Sequence, residues 1–226
     1  INASRDGVKF VVPTEKFPLV GVEGPEHGIL LLDELPQADN AGQKILANLI
    51  QEREIHGKRI KPGWTIIATG NRASDRAGAN RILSHLRNRL TTYEFTPNLD
   101  DWISWYMDQP GYRVEGVSFL RFRPALFNEF DPQKDICPTP RAWTEGVFKA
   151  LDAVPKESEL ETFKGDVGEG AAAEFLGFLR IFRELPDPDV VLMTPDKHPI
   201  PTQTATIYAL TGALAARASQ DNFERV

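Results

Sequence analysis

Two short apolar runs separated by one amphipathic helix constrain the fold of this chain most strongly. The first run, residues 28–32, ends at Asp33-Glu34, and the second, residues 64–69, ends at Gly70-Asn71. Runs this short, without polar alternation, are typical of strands buried on both faces of a parallel sheet. Residues 38–52 carry apolar side chains at helical spacing, namely Ile45, Leu46, Leu49 and Ile50. The order strand, helix, strand predicts an α/β fold.

The rest of the chain divides by composition near Pro97. The sequence pattern of residues 79–90 predicts a helix. Apolar and polar residues alternate over 91–95, as in a short strand. Beyond Pro97 the chain predicts a mainly helical domain, with helical segments at 99–107, 116–130, 141–154, 170–185 and 202–218. We therefore expect an α/β core over residues 1–97 and a helical domain over residues 98–226.

The overall charge disfavours one class of function, and the cysteine content favours one compartment. Lys and Arg total 26 against 32 Asp and Glu, for a formal net charge of −6. This balance disfavours a protein that works mainly by binding nucleic acid, which needs a basic face for the phosphates. Cys137 is the only cysteine in the sequence, so no internal disulfide can form and the cytoplasm is the expected compartment. No apolar run approaches the ~20 residues of a membrane span.

An acidic pair and an amide follow the two predicted strands. Asp33 and Glu34 come directly after residues 28–32, at the strand end where open α/β sheets bind ligands. Asp33 can hold a hydrated Mg²⁺ ion, and Glu34 can orient or deprotonate a water molecule. An acidic loop after a core strand is the alternative. Asn71 can hydrogen-bond a phosphate or the attacking water, although Asn after Gly is also common in turns.

Arginines supply the second chemical signal. Five guanidinium groups fall within 18 residues of this acidic chain, those of Arg72, Arg76, Arg81, Arg87 and Arg89. Guanidinium groups suit phosphates, and an arginine from a neighbouring subunit can stabilise the charge that develops in phosphoryl transfer. A solvated helix face is the alternative.

Arg141 follows Pro140, in the predicted first turn of a helix. The helix dipole disfavours a cation there by ~0.3–1 kcal/mol. The placement suggests an anionic partner, and an exposed arginine beside a turn is the alternative interpretation.

Taken in order, residues 28–34, 66–71, 86–90 and 138–141 resemble the AAA+ ATPases of the MoxR-like branch, and the resemblance runs through nearly the whole chain. It implies that Asp33 and Glu34 are the Walker B pair, which binds magnesium and activates water.

The same resemblance implies roles for an amide and three arginines. It makes Asn71 the sensor 1 residue and Arg89 the arginine finger, with Arg87 as the alternative finger. It makes Arg141 the sensor 2 arginine, which binds nucleotide from a helical lid.

One family motif is missing from the sequence. A phosphate-binding loop needs Gly-x-x-x-x-Gly-Lys-Ser/Thr, and this pattern does not occur in the chain. In the family the loop precedes Walker B, so we expect a natural N-terminal segment before Ile1. The fold expected from the resemblance is an AAA+ P-loop-type parallel sheet with flanking helices, incomplete without the P-loop strand, followed by an α-helical lid. The missing strand would lie between residues 64–69 and residues 91–95.

The expected function is that of a cytoplasmic ATPase that uses ATP and Mg²⁺ to remodel a client protein. The resemblance implies a homo-oligomeric ring, usually a hexamer, and a von Willebrand factor A domain protein as partner. A catalytically silent AAA+ scaffold or adaptor is the alternative, and a DNA-remodelling AAA+ protein is disfavoured by the charge of −6. Without the loop, these 226 residues are expected to bind ATP poorly or not at all.

Overall fold

The computed structural model of the chain describes residues 2–5, 8–11, 17–71, 82–220 and 222. It has two units, residues 1–94 and residues 95–226. Among the described residues, every strand belongs to the first unit and the second unit is helical. The chain is therefore α/β.

Six short strands form three two-stranded sheets in the described part of the first unit. The strands are β1 (Asn2–Arg5), β2 (Val8–Val11), β3 (His27–Leu32), β4 (Glu54–Ile55), β5 (Lys58–Arg59) and β6 (Gly63–Ala68). β1 pairs antiparallel with β2, and β4 pairs antiparallel with β5 through a turn at His56-Gly57. Both turn residues have positive φ, 49° and 75°, as a two-residue hairpin of this twist requires. β3 pairs parallel with β6, from His27 opposite Gly63 to Leu32 opposite Ala68.

The helix α1 (Asn40–Glu52) connects the two parallel strands. Asp39 caps it, because one carboxylate oxygen accepts a hydrogen bond from the Gly42 amide at 2.7 Å. The predicted strand–helix–strand order is thus confirmed. The predicted apolar stripe is wrong at one position, since Ile45 is 48% exposed whereas the amide side chain of Gln43 is fully buried.

The prediction that the parallel strands are buried on both faces is wrong for the described residues. Exposed and half-buried residues alternate along β3 and β6. The half-buried face, which includes Leu30 and Ile66, packs on the core residues Leu19, Leu49, Ile55 and Ile60. On the opposite face Ile29, Leu31 and Ile67 are 61%, 54% and 43% exposed, because no described element covers them.

The segment after β6 differs from its prediction. Of the helix predicted over 79–90, the described residues contain α2 (Ser84–Arg87), and residues 72–81 lie outside the described part. The strand predicted over 91–95 is wrong, since this segment forms no strand pairing with any described residue and Tyr93 and Phe95 are 86% and 91% exposed. A strand is stable only beside another strand, and no described strand pairs with this segment.

Helices account for the second unit. They are α3 (Leu99–Met107), α4 (Val114–Phe122), a π-helix (Ala142–Val147) that continues into α5 (Phe148–Ala150), α6 (Glu159–Val167), α7 (Glu169–Arg183), α8 (Pro188–Met193) and α9 (Thr204–Ala215). All five predicted segments contain a helix, whereas α6 and α8 were not predicted. The helix predicted over 116–130 ends at Phe122, because Pro124 disfavours helical backbone at the residue before it.

An aromatic core holds these helices together. Phe119, Trp143 and Phe175 are fully buried, with ring centroids 5.0–5.6 Å apart. The indole Nε1 of Trp143 donates to the Leu126 carbonyl at 2.6 Å. Phe178, on α7 with Phe175, is also buried, whereas Phe182 packs at the edge of this core, half-buried. Within the described part of the chain, no helix combines the length and apolar character needed to cross a membrane.

Candidate functional site

The acidic pair lies where β3 ends, beside the end of β6. Because Leu32 lies opposite Ala68 in parallel register, Asp33 and Thr69 leave the sheet side by side. The Thr69 hydroxyl donates to Oδ1 of Asp33 at 2.5 Å and accepts a hydrogen bond from the Glu34 amide at 3.2 Å. The end of one strand thus contacts both acidic residues.

The backbone of Thr69 also bonds to this turn. Its amide donates to the Leu32 carbonyl at 3.1 Å, and its carbonyl accepts from the Leu35 amide at 2.9 Å. Together with the hydroxyl, Thr69 therefore forms hydrogen bonds to four consecutive residues, 32 to 35. The parallel pairing of β3 and β6 continues in this way beyond the strands themselves.

Glu34 has an unusual backbone conformation. Its φ and ψ are 52° and 41°, in the left-handed region that residues other than Gly, Asn and Asp rarely adopt. The residue begins a 3₁₀ turn over Leu35–Gln37, closed by a hydrogen bond from the Gln37 amide to the Glu34 carbonyl at 2.8 Å. The side chain is exposed. Strained backbone of this kind is concentrated at functional sites in proteins.

Asn71 lies at the same end of the sheet. The preceding Gly70 passes so close to Pro36 that a β-carbon there would overlap the proline ring, so the chain after β6 crosses directly against the 3₁₀ turn. Asn71 itself is exposed. The structure therefore brings Asp33, Glu34 and Asn71 to one end of the β3–β6 pair, as the strand order predicted.

The structure places Arg89 away from that end of the sheet. Its Nε donates to Oε1 of Gln51 and its Nη1 donates to the His85 carbonyl at 2.8 Å. The Leu83 amide donates to Oε1 of Gln43 at 2.9 Å, so residues 83–89 run along α1 in the same direction. Gln51 lies eight residues farther along α1 than Gln43, about 12 Å at the α-helical rise.

Arg87 is exposed, and its guanidinium forms no hydrogen bond or ion pair among the described residues. Neither arginine forms a hydrogen bond or ion pair with Asp33 or Glu34 in the described part of the chain. Three other members of the predicted arginine cluster, Arg72, Arg76 and Arg81, lie outside the described residues.

Arg141 belongs to the second unit. The Thr139 hydroxyl caps its helix by accepting from the Ala142 amide at 3.1 Å, and the Thr139 carbonyl accepts from the Trp143 amide at 3.0 Å. Arg141 thus occupies the first helical turn, as predicted. Its side chain is exposed, and its guanidinium has no hydrogen-bonding or ionic partner in the described part of the chain.

Two exposed carboxylates at the end of the β3–β6 pair could hold a Mg²⁺ ion. In proteins Mg²⁺ keeps several waters and is held by one or two carboxylates together with substrate phosphates. Asp33 and Glu34 are both exposed, and Oδ1 of Asp33 has its orientation set by Thr69. No group of three or more His, Cys, Asp or Glu side chains among the described residues forms a metal cage. The donor set fits an ion that binds with its substrate.

Comparisons with protein-family models, with curated proteins and with solved structures found no match for this chain. Thr69 is a residue of the site that the sequence pattern alone did not indicate, since it stands as the last residue of the second apolar run. A hydroxyl that directly follows a strand, next to an acidic turn, is the signal that could have identified Thr69.

Proposed function

We propose that this chain is part of a MoxR-like AAA+ ATPase, in which ATP hydrolysis with Mg²⁺ drives the remodelling of a client protein. One observation carries the proposal. The acidic pair Asp33-Glu34 is fixed at the end of a parallel strand pair by the neighbouring Thr69, and Asn71 lies at that same end. This is the end of a parallel sheet at which α/β proteins bind ligands.

The side chains at this end divide the chemistry of hydrolysis among them. Asp33 would hold the magnesium ion, which neutralises charge on the phosphates when bound. Glu34 accepts a proton from the attacking water, and Asn71 donates a hydrogen bond that orients this water. All three side chains are exposed, so a substrate can reach them.

The positions of the arginines support a site shared between copies of the chain. Arg89 lies along α1, away from Asp33 and Glu34, so it would serve a neighbouring copy rather than its own. The proposal thus includes a homo-oligomeric ring, a hexamer by the family resemblance, with Arg89 or Arg87 as the arginine finger. Arg141 would bind nucleotide from the helical second unit, which acts as the lid.

The remaining elements of the proposal come from the resemblance. They are a cytoplasmic location, a von Willebrand factor A domain partner and a nucleotide-binding core of which the described sheet is a part. A phosphate-binding loop is a requirement of this mechanism, so activity is measured on the complete natural reading frame.

The test is Glu34→Gln in the protein from the complete reading frame. The substitution keeps the size of the side chain and removes the base, so we expect ATP turnover to fall by roughly 10²–10⁴-fold while ATP binding is retained. Glu52→Gln, an exposed glutamate at the end of α1, is the matched control and should not change turnover. Hydrolysis that survives Glu34→Gln contradicts the proposal. Binding without any hydrolysis in the unsubstituted protein would instead support the silent scaffold.

A further inference from the structure

Thr69 is unusual in the number of hydrogen bonds that it makes to the acidic turn. Its hydroxyl bonds both to the Asp33 carboxylate and to the Glu34 amide, and its backbone bonds to residues 32 and 35. The backbone pair would persist with any side chain at position 69. The hydroxyl pair depends on the identity of the residue.

We infer that Thr69 is a positioning residue, whose hydroxyl fixes the Asp33 carboxylate and the Glu34 backbone in the arrangement that hydrolysis needs. The inference rests on the proposed function. In this inference Thr69 does not itself contact nucleotide, metal or water. It acts on hydrolysis only by holding Asp33 and Glu34 in place.

The donor and acceptor capacity of a hydroxyl explains why threonine suits this position. A hydroxyl has one hydrogen to donate and two lone pairs that accept. The hydrogen is directed to Oδ1 of Asp33, so the Glu34 amide bonds to a lone pair. Oδ2 of Asp33 forms no hydrogen bond among the described residues. Valine has the same shape but can make neither bond, whereas serine can make both.

The conformation of Glu34 makes the second bond important. Its left-handed backbone, with φ of 52°, is unfavourable for a residue with a side chain. The surrounding hydrogen bonds must therefore hold it, and the Glu34 amide finds its partner in the Thr69 hydroxyl. Without that partner the turn can relax, and the Glu34 carboxylate then leaves its position relative to Asp33.

The experiment compares Thr69→Val with Thr69→Ser in the protein from the complete reading frame. We expect Thr69→Val to lower kcat for ATP hydrolysis by about 10–100-fold, the usual effect of removing a group that orients a metal ligand. KM for ATP should change far less, because the substituted side chain contacts no substrate. Thr69→Ser should restore kcat. Thr65→Val is the matched control, since Thr65 is an exposed threonine of β6, the strand that ends just before Thr69.

A second readout does not depend on activity. Amide hydrogen exchange of the peptide that spans residues 30–36 should accelerate in Thr69→Val, because the Glu34 amide loses its acceptor, and should not accelerate in Thr69→Ser or Thr65→Val. Unchanged exchange in Thr69→Val overturns the inference. Melting temperatures of all variants show whether a loss of kcat reflects a loss of folding, and the serine variant keeps the test valid if valine unfolds the protein.

The two proposals fail in different ways. Hydrolysis that does not require Glu34 overturns the proposed function. If hydrolysis requires Glu34 but Thr69→Val has the kcat of the unsubstituted protein, or Thr69→Ser is as impaired as Thr69→Val, the role of Thr69 is overturned and the proposed function stands.

Discussion

Arg183 donates two hydrogen bonds to the carboxylate of Glu159, from Nη1 at 2.8 Å and from Nη2 at 2.5 Å. Only 2% of the glutamate side chain is exposed. The pair joins the first residue of α6 to the last residue of α7, so it closes the hairpin that these two helices form. The side-chain hydrogen bonding to Glu159 raises the pKa of Arg183 above its ordinary value.

Removal of the arginine should strongly destabilise the second unit. Arg183→Met leaves the buried Glu159 carboxylate without its counter-ion, and breaking a buried pair in this way costs about 3–5 kcal/mol of unfolding free energy. Urea denaturation measures the change. Arg180→Met, an exposed arginine of the same helix, should change the unfolding free energy little. Equal effects of the two substitutions would show that the pair contributes nothing specific.

The carboxyl group of Asp166 should make stability depend on pH. Burial raises the pKa of Asp166 above its ordinary value, so the folded state holds this proton more tightly than the unfolded state. The contribution favours folding at pH values below the unfolded pKa, and it is lost as pH rises towards the raised folded pKa. Asp166→Asn removes the cost of ionisation. At pH 7 it should stabilise the protein by a few tenths of a kcal/mol, since the group keeps contact with solvent.

The same substitution should have no such benefit at acid pH, where the wild-type carboxyl is already protonated. Unfolding free energies at pH 7 and at about pH 3.5, below the ordinary Asp pKa, measure the difference. Asp135→Asn is the control, because Asp135 is exposed. A stabilisation by Asp166→Asn that is the same at both pH values would contradict the assignment.

Two helical glycines should respond in opposite ways to alanine. A β-carbon at Gly212 of α9 would overlap the Ser118 hydroxyl of α4, whereas one at Gly177 of α7 would meet no atom within 4 Å. Gly212→Ala should therefore destabilise the protein by about 1–3 kcal/mol through overpacking. Gly177→Ala should stabilise it by roughly 0.5–1 kcal/mol, because alanine restricts the unfolded chain. Thermal unfolding of both variants tests the close crossing of α4 and α9.

Mixing two inactive variants should restore hydrolysis if the site is shared between copies. Glu34→Gln and Arg89→Ala each disable every site of a uniform ring, the latter by roughly 10³-fold or more. In mixed rings, a chain with an intact Glu34 can have a neighbour with an intact Arg89. Recovery of ATP turnover after mixing is the expected result. Recovery with Arg87→Ala in place of Arg89→Ala, and not with Arg89→Ala, would assign the finger to Arg87.

The arrangement of the acidic end was predictable because it depends on local pattern and one topological rule. The apolar runs before Asp33 and Asn71, with a helix between them, require a parallel pair whose ends coincide. The hydrogen bonds of Thr69 were not predictable in the same way. They depend on the left-handed turn at Glu34, for which the sequence has none of the usual Gly or Asn signals.

Burial and strand pairing were harder to predict because they depend on neighbours. The alternating residues 91–95 have the pattern of a strand but no described partner, so the segment does not form one. Likewise Gln43 is buried in place of Ile45 because its amide side chain bonds both the Ala38 carbonyl and the Leu83 amide. No local pattern indicates the contact with Leu83, 40 residues along the chain.

The uncovered face of the β3–β6 pair has a practical consequence for work with this chain. Ile29, Leu31 and Ile67 form an apolar surface that water meets directly in the described structure. Such surfaces cause proteins to aggregate as their concentration rises. Preparations of these 226 residues should therefore scatter light at high concentration and bind hydrophobic dyes. Threonine at positions 29, 31 and 67 would place β-branched, more polar side chains in the strands and improve the yield for crystallisation.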